Sequence, residues 1–172
     1  MLKFPCANYN TKGTKLKQCR ISKELIEKAE AKSEEMGKLN NSITKGDGNI
    51  AGFIGEFMVA EETGSTVCNT YDYDLISKKN WRIDVKTKRT NFPPKPYYEC
   101  SIAAYNIKQD CDFYVFTRVK NDLSVGWILG YYAKMKYFKD AVFHREGDID
   151  NDNKFVFKAD CYNMKISSLK EI

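Results

Sequence analysis

The stretch 70–90 constrains the fold of this chain more than any other. It reads TYDYDLISKKNWRIDVKTKRT, two alternating segments around a polar turn, and it predicts a β-hairpin. Alternation places Asp84 and Lys86 on one face of the second strand. A turn centred near Lys79 makes Asp74 the cross-strand neighbour of Asp84, with about 5 Å between their Cβ atoms. Two such carboxylates repel each other unless a cation lies between them, so the hairpin suits metal-assisted hydrolysis.

A helix predicted at residues 49–62 adds a further carboxylate. Its sequence, NIAGFIGEFMVAEE, carries one apolar stripe, and Glu56 lies at the edge of that stripe. Glu56 is therefore either a solvent-edge residue or a carboxylate directed at a neighbouring site. Gly52 and Gly55 lie on another side of the helix. Because each glycine costs about 1 kcal/mol relative to alanine, the two predict close packing against a strand or another backbone.

Composition limits the class of protein. A chain of 172 residues is most simply one domain, 1–172, with a real core. Six cysteines without a CxxC pair argue against a structural zinc site and a disulfide scaffold, and they predict free thiols. The single histidine, His144, excludes sites that need several histidines. With no leader-like opening and no membrane-length apolar run, the sequence predicts a cytoplasmic protein.

Charge distribution indicates a polyanionic partner. The net charge is only +5, but basic residues surround the acidic pair of the hairpin. Such a cluster suits a nucleic acid that must approach a metal, although a solvated, lysine-rich surface would look the same. The residues predicted to contact the nucleic-acid backbone are Lys78, Lys79, Lys88 and Arg89.

The remaining segments predict a mixture of helices and strands. Residues 1–20 have little periodicity and predict an irregular arm, while Ser22 is expected to cap a helix over 22–36. Further helices are expected at 101–109 and 133–142, and strands at 112–119, 125–132, 155–157 and 164–166. Tyr97 and Tyr98, after a proline-rich turn, either stack on nucleotide bases or pack against the protein.

The order of these motifs resembles the PD-(D/E)XK nuclease superfamily. The resemblance rests on GE in the helix, YDL in the first strand and IDVKT in the second, and it covers residues 48–132. Tyr73 stands where the superfamily name has proline. The resemblance is to small phage-type single-domain members. It implies an α/β fold with a restriction endonuclease-like core, in which a central mixed β-sheet is flanked by helices.

The same resemblance implies a site and an activity. Asp74 and Asp84 would bind Mg²⁺, or Mn²⁺ in its place, with the Val85 carbonyl as a further ligand. Glu56 would join directly or through water, and Lys86 would orient or help to deprotonate the attacking water. The expected function is a Mg²⁺-dependent DNA endonuclease, a homodimer by analogy, in the cytoplasm of a host cell if phage-encoded. The alternatives are a non-catalytic nucleic-acid- or protein-binding member of the fold, a nuclease acting on branched DNA or RNA, and a structural protein with surface carboxylates.

Overall fold

A mixed seven-stranded sheet flanked by three helices forms the centre of this α/β protein. The computed structural model describes residues 6–37, 47–68, 70–150 and 154–172. The strand order is β1-β2-β8-β7-β5-β4-β3. The strands of this sheet are β1 (Cys6–Thr11), β2 (Thr14–Arg20), β3 (Thr66–Val67), β4 (Leu75–Ile76), β5 (Arg82–Thr90), β7 (Phe113–Lys120) and β8 (Val125–Ala133). A second sheet has the order β6-β10-β9 and contains β6 (Glu99–Ala103), β9 (Val142–His144) and β10 (Cys161–Lys165).

The helices are α1 (Lys23–Gly37), α2 (Asp47–Thr63) and α3 (Lys134–Asp140). The predicted helices at 22–36 and 49–62 are thereby confirmed, and that at 133–142 is confirmed as a shorter helix. Ser22 Oγ accepts a hydrogen bond from the Leu25 N–H at 3.2 Å, the expected N-cap contact.

The central strands of the seven-stranded sheet are buried on both faces. On one face, the apolar stripe of α2 packs against alternate residues of β5, with Ile54 and Met58 meeting the core that contains Ile83 and Val85. On the other face, Tyr114 and related residues of β7 pack against the second sheet. Burial of each such side chain contributes about 1.5–3 kcal/mol, so both layers hold β5 and β7 in place.

The pairing of β5 with β7 is the only parallel one among the described strands, and it makes the sheet mixed. The connection between them was predicted to contain a helix at 101–109, and that prediction is wrong. The segment forms β6 and a 3₁₀ helix, Ala104–Lys108. Cys100 and Ile102 are buried on either side of the exposed Ser101, so the period is two and the segment pairs with β10.

The irregular arm predicted at residues 1–20 is also wrong for the part that the structure describes. Residues 6–20 form a β-hairpin whose turn contains Gly13 at φ +87°, and β2 pairs with β8 at the edge of the large sheet. Cys6 and Cys19 face each other across this hairpin and form a disulfide. The prediction of free thiols therefore fails for these two cysteines, because their spacing along the chain hides their cross-strand pairing.

The late strands differ partly from expectation. The segment 155–157 makes only an isolated bridge, between Val156 and Ile149, and the last strand lies at Cys161–Lys165 rather than 164–166. Residues 151–153 of the acidic loop lie outside the described residues. Among the helices that are described, none has both the length and the apolar character needed to cross a membrane.

Candidate active site

The site lies where β4 ends beside β5. Only two residues of β4 pair with β5, Leu75 with Ile83 and Ile76 with Arg82. The first strand of the predicted hairpin, expected to include Tyr71, Tyr73 and Leu75, forms only at Leu75–Ile76. Thr70 closes a turn before it by donating from Oγ1 to the Tyr73 carbonyl at 2.7 Å. Beyond Ile83, no described strand pairs with the free edge of β5, so side chains from both faces of the sheet can meet there.

Asp74 occupies this edge directly before β4. Its Oδ2 accepts a hydrogen bond from the Val85 N–H at 2.7 Å, and its own N–H donates to the Ile83 carbonyl at 2.9 Å. The N–H and C=O of one strand residue point to the same edge of a sheet. The Val85 carbonyl therefore faces the edge that Asp74 occupies, while the Val85 side chain is buried in the core.

Asp84 is held from two directions and is only 5% exposed. Gln109 donates from Nε2 to Asp84 Oδ1 at 3.1 Å. The ammonium of Lys86 lies 2.6 Å from Asp84 Oδ2, but the approach lacks hydrogen-bond alignment. Asp84 Oδ2 is thus the one fully enclosed side-chain polar atom without a hydrogen-bond partner among the described residues. It forms a close ion pair and has no aligned donor.

Glu56 is buried at the same end of the sheet and is not a solvent-edge residue. It is 8% exposed, and the ammonium of Lys32 lies 2.7 Å from its Oε2. Lys32 comes from α1, and its ammonium also lies 4.4 Å from the ring centroid of Phe53 and 5.3 Å from that of Phe57. These cation–π contacts and the ion pair fix one orientation for the Glu56 carboxylate.

The three acids influence one another. Burial raises the pKa of Asp74 to about 7, and the negative charges of Glu56 and Asp84 add to this, whereas the Val85 N–H and Lys86 lower it. Burial also raises the pKa of Glu56, the hydrogen bond and charge of Lys32 oppose that rise, and Asp84 adds to it. Asp74 is therefore within electrostatic reach of acids from both faces of the sheet. A cation at this edge would relieve their repulsion.

The acids do not form a compact ligand cage. Within residues 6–37, 47–68, 70–150 and 154–172, no group of three or more His, Cys, Asp or Glu side chains is arranged to hold a metal ion. Mg²⁺ needs less, because it keeps several waters and binds through one or two carboxylates and substrate phosphates. Asp74, Asp84 and the Val85 carbonyl supply the oxygen atoms that this ion prefers.

The four residues predicted to contact the nucleic-acid backbone are dispersed over the surface. Lys78 and Lys79 are exposed in the turn between β4 and β5. Lys88 and Arg89 lie near the other end of β5 and, as neighbours in a strand, point to opposite faces. Arg89 donates from Nη2 to the Asn121 carbonyl at 2.9 Å. These residues flank the site at its two ends and do not form one cluster.

Two residues of the site were missed by the sequence interpretation. Lys32 lies on a helix with several lysines, and nothing in its spacing marks it. Gln109 follows the 3₁₀ helix, where Lys134 hydrogen-bonds to its backbone carbonyl, and the wrongly predicted helix concealed it. The only sequence signal for Gln109 is its position just before the buried strand β7.

Fold and site together define an α/β protein with a buried acidic group at the edge of a mixed sheet. Comparison with protein families finds no family model that matches this chain. No curated protein is found that matches it either.

Proposed function

We propose that this protein is a Mg²⁺-dependent endonuclease that hydrolyses phosphodiester bonds of DNA with a metal-activated water. The observation that supports this most directly is Asp84 Oδ2, which is enclosed and lies beside the Lys86 ammonium but has no aligned hydrogen-bond donor. A buried carboxylate oxygen without a hydrogen bond retains an unused acceptor position, which a metal ion would occupy in this proposal. The neighbouring acids Asp74 and Glu56, with raised pKa values, point the same way.

The residues present fit Mg²⁺ as the resident ion, with Mn²⁺ as a substitute. Asp74, Asp84 and the Val85 carbonyl would hold it, and Glu56 would join directly or through water. When bound, the ion makes hydroxide available near neutral pH and acts as a Lewis acid on the phosphoryl oxygen.

The chain's own residues have separate roles in this proposal. Lys86 holds a fixed positive charge next to Asp84, where it would orient the water and stabilise negative charge that develops on the phosphate. Gln109 positions Asp84 through the carboxylate oxygen that Lys86 does not contact. Lys32 keeps Glu56 oriented, and the Val85 N–H anchors Asp74.

We also propose a restriction endonuclease-like core at residues 48–132. The succession of α2, β4 antiparallel to β5, and β7 parallel to β5 supports it. The chain departs from that pattern between β5 and β7, where β6 and a 3₁₀ helix stand in place of the expected helix. The connection between two parallel strands usually contains a helix. The departure therefore affects the second half of the proposed core, between β5 and β7.

The proposal extends to partner and location by analogy with the same superfamily. DNA would contact Lys78, Lys79, Lys88 and Arg89, and a homodimer would cut both strands. A cytoplasmic location, in a host cell if phage-encoded, belongs to the same proposal, although disulfides such as Cys6–Cys19 are rare in that compartment.

Cleavage of plasmid DNA, branched DNA and RNA with Mg²⁺ or Mn²⁺ tests the activity. The variants are Asp84→Asn and Lys86→Ala, and the matched controls are Asp122→Asn and Lys120→Ala, an exposed pair with the same 2.6 Å separation. We expect a loss of about 10²-fold or more in the site variants and wild-type rates in the controls. Unchanged cleavage in both site variants would refute the assigned site.

One observation favours a non-catalytic alternative. Lys32 and Lys86 already neutralise Glu56 and Asp84, so the acids have cationic partners without a metal. A protein that binds nucleic acid yet cuts no substrate with either ion would fit that alternative. Cleavage confined to RNA or branched DNA would instead redefine the substrate.

A further inference from the structure

Arg118 carries a buried charge without an ion pair. It lies in β7, is 6% exposed, and forms no salt bridge with any described carboxylate. Its Nη2 donates to the Glu99 carbonyl at 3.1 Å, and its guanidinium carbon lies 5.0 Å from the ring centroid of Tyr98. A guanidinium has five N–H donors, and burying it is costly unless an anion compensates.

Two further cations lie beside Arg118. Lys88 is its register partner on the parallel strand β5, and Lys95 has its ammonium 5.9 Å from the same Tyr98 ring. Neither forms an ion pair with a described carboxylate. The pKa of Lys88 is lowered, first by partial burial and then by the positive charge of Arg118. Lys95 and Arg118 thus share the ring of Tyr98, and the charges of Lys88 and Arg118 repel each other.

Nearby acidic groups do not resolve this repulsion. The Glu99 carboxylate acts on Lys88, but its Oε2 accepts a hydrogen bond from Asn163 Nδ2 at 2.7 Å and makes no salt bridge. The thiol of Cys100 stays neutral, because burial raises its pKa to about 12. The group is thus basic and short of an anion.

The group stands on the same face of the sheet as the candidate active site. Asp84, Lys86 and Lys88 occupy every second position of β5 and therefore share one face. Lys88 follows Lys86 by about 7 Å on that face. Apart from Asp84 Oδ2, no side-chain polar atom in the described residues is both sealed from solvent and without a hydrogen-bond partner. The donors of Arg118 that lack a hydrogen-bond partner are therefore not fully sealed from solvent.

We propose that Lys88, Lys95 and Arg118 form a subsite for a phosphodiester of the nucleic-acid strand, next to the one acted on at Asp84 and Lys86. The subsite rests on the proposed function for the identity of the strand. A phosphate oxygen receives charge-assisted hydrogen bonds from arginine and lysine, which are about twice as strong as neutral ones. Binding here relieves the repulsion between Lys88 and Arg118 and aligns the strand with the active site.

Binding of a labelled DNA duplex, measured by fluorescence anisotropy over a range of salt concentrations, tests the subsite. The protein carries Asp84→Asn and the buffer contains EDTA, so no cleavage occurs. We expect Lys88→Gln and Lys95→Gln, both exposed positions, to raise Kd about tenfold. Each should reduce the slope of log K against log salt by about 0.9. Lys120→Gln, whose ammonium is paired with Asp122, is the matched control and should bind as the parent does.

Arg118→Gln is a third variant, checked for folding by circular dichroism because the position is buried. Unchanged Kd and salt slope in both lysine variants overturn the subsite.

A second arm compares the Tm in sulfate and in chloride at equal ionic strength. If sulfate stabilises the wild type but not Lys88→Gln, while duplex binding is unaffected, the site takes a free anion only and the proposal fails.

The result is separable from that of the cleavage assay. Wild-type cleavage together with unaffected binding in the lysine variants removes the subsite and leaves the nuclease. Binding that depends on the three cations without any cleavage leaves the subsite and removes the nuclease.

Discussion

Lys32 Nζ lies 2.7 Å from Glu56 Oε2, so a cation from α1 neutralises the acid that α2 carries to the edge of the sheet. The other two acids have partners of different kinds. Asp84 is paired with Lys86 and hydrogen-bonded by Gln109, and Asp74 is anchored on the Val85 N–H. Each carboxylate thus has its own orienting group, which lets three mutually repelling acids share one edge.

Removing Lys32 should destabilise the protein more at high pH than at low pH. In Lys32→Met, Glu56 loses its cation in a buried position, which costs about 3 kcal/mol when the carboxylate is ionised. Because burial already raises the pKa of Glu56, loss of Lys32 raises it further, and protonation at low pH recovers stability. Urea unfolding at pH 5 and pH 8 measures the difference.

Lys23→Met is the control for that experiment, since its pair with Glu27 on the same helix is largely exposed. Its effect should stay within about 0.5 kcal/mol at both pH values. An equal loss in Lys32→Met at pH 5 and pH 8 would contradict an ionised, buried Glu56.

Asp74 should make the metal-free protein less stable as pH rises. Its pKa is raised from 3.8 to about 7, so the folded state binds the proton more tightly than the unfolded state does. The resulting stabilisation is fully present below pH 3.8, declines as pH rises to about 7 and is absent above. Asp74→Asn should therefore flatten this decline and be more stable than wild type at pH 8 by about 2 kcal/mol.

Chemical unfolding from pH 4 to pH 8 in EDTA measures this, with Asp72→Asn in the adjacent turn as control. Adding Mg²⁺ at pH 8 should raise the stability of the wild type and not that of Asp74→Asn. A variant with the wild-type pH dependence would show that Asp74 is not the titrating group.

Gly55 and Gly52 should respond oppositely to alanine. A Cβ at Gly55 would overlap Thr87 Oγ1 and Thr117 Oγ1, which hydrogen-bond to each other at 2.8 Å beneath the helix. Gly55→Ala should therefore lower the free energy of unfolding by about 1–3 kcal/mol. A Cβ at Gly52 meets nothing within 4 Å, so Gly52→Ala should be neutral or stabilising by up to about 1 kcal/mol. Equal effects of the two variants in urea unfolding would contradict this close packing.

The hairpin disulfide should be detectable by counting thiols. Unfolded in guanidinium without reductant, the protein should show four reactive thiols rather than six, because Cys6 and Cys19 are linked. Reduction should lower the free energy of unfolding by about 2–3 kcal/mol, since the linkage closes a short loop in the unfolded chain. Cys68→Ser is the control, because it removes a free thiol and leaves the link between Cys6 and Cys19 in place. Six thiols before reduction would rule out the linkage.

The elements predicted best are those whose period is unambiguous. The apolar stripe of α2 and the continuous β-prone runs of β7 and β8 were located correctly because burial on a fixed face imposes one period. The register of the 70–90 hairpin was also predicted correctly. The observed pairing of Leu75 with Ile83 places the centre of that hairpin at Lys79, as expected. The two segments predicted wrongly lie within 1–20 and at 101–109, and in both the structure is decided by partner strands distant in sequence.

The sequence by itself determined that Asp84 and Lys86 share a face of one strand, that Asp74 lies across from Asp84, and that Glu56 borders a buried helical stripe. These are local relations, set by the periods of helix and strand. Only the tertiary structure decided that Lys32 neutralises Glu56, that Gln109 holds Asp84, and that Arg118 lies unpaired beside Lys88. Such contacts join residues on separate elements, and packing of those elements against each other fixes them, which no local pattern records.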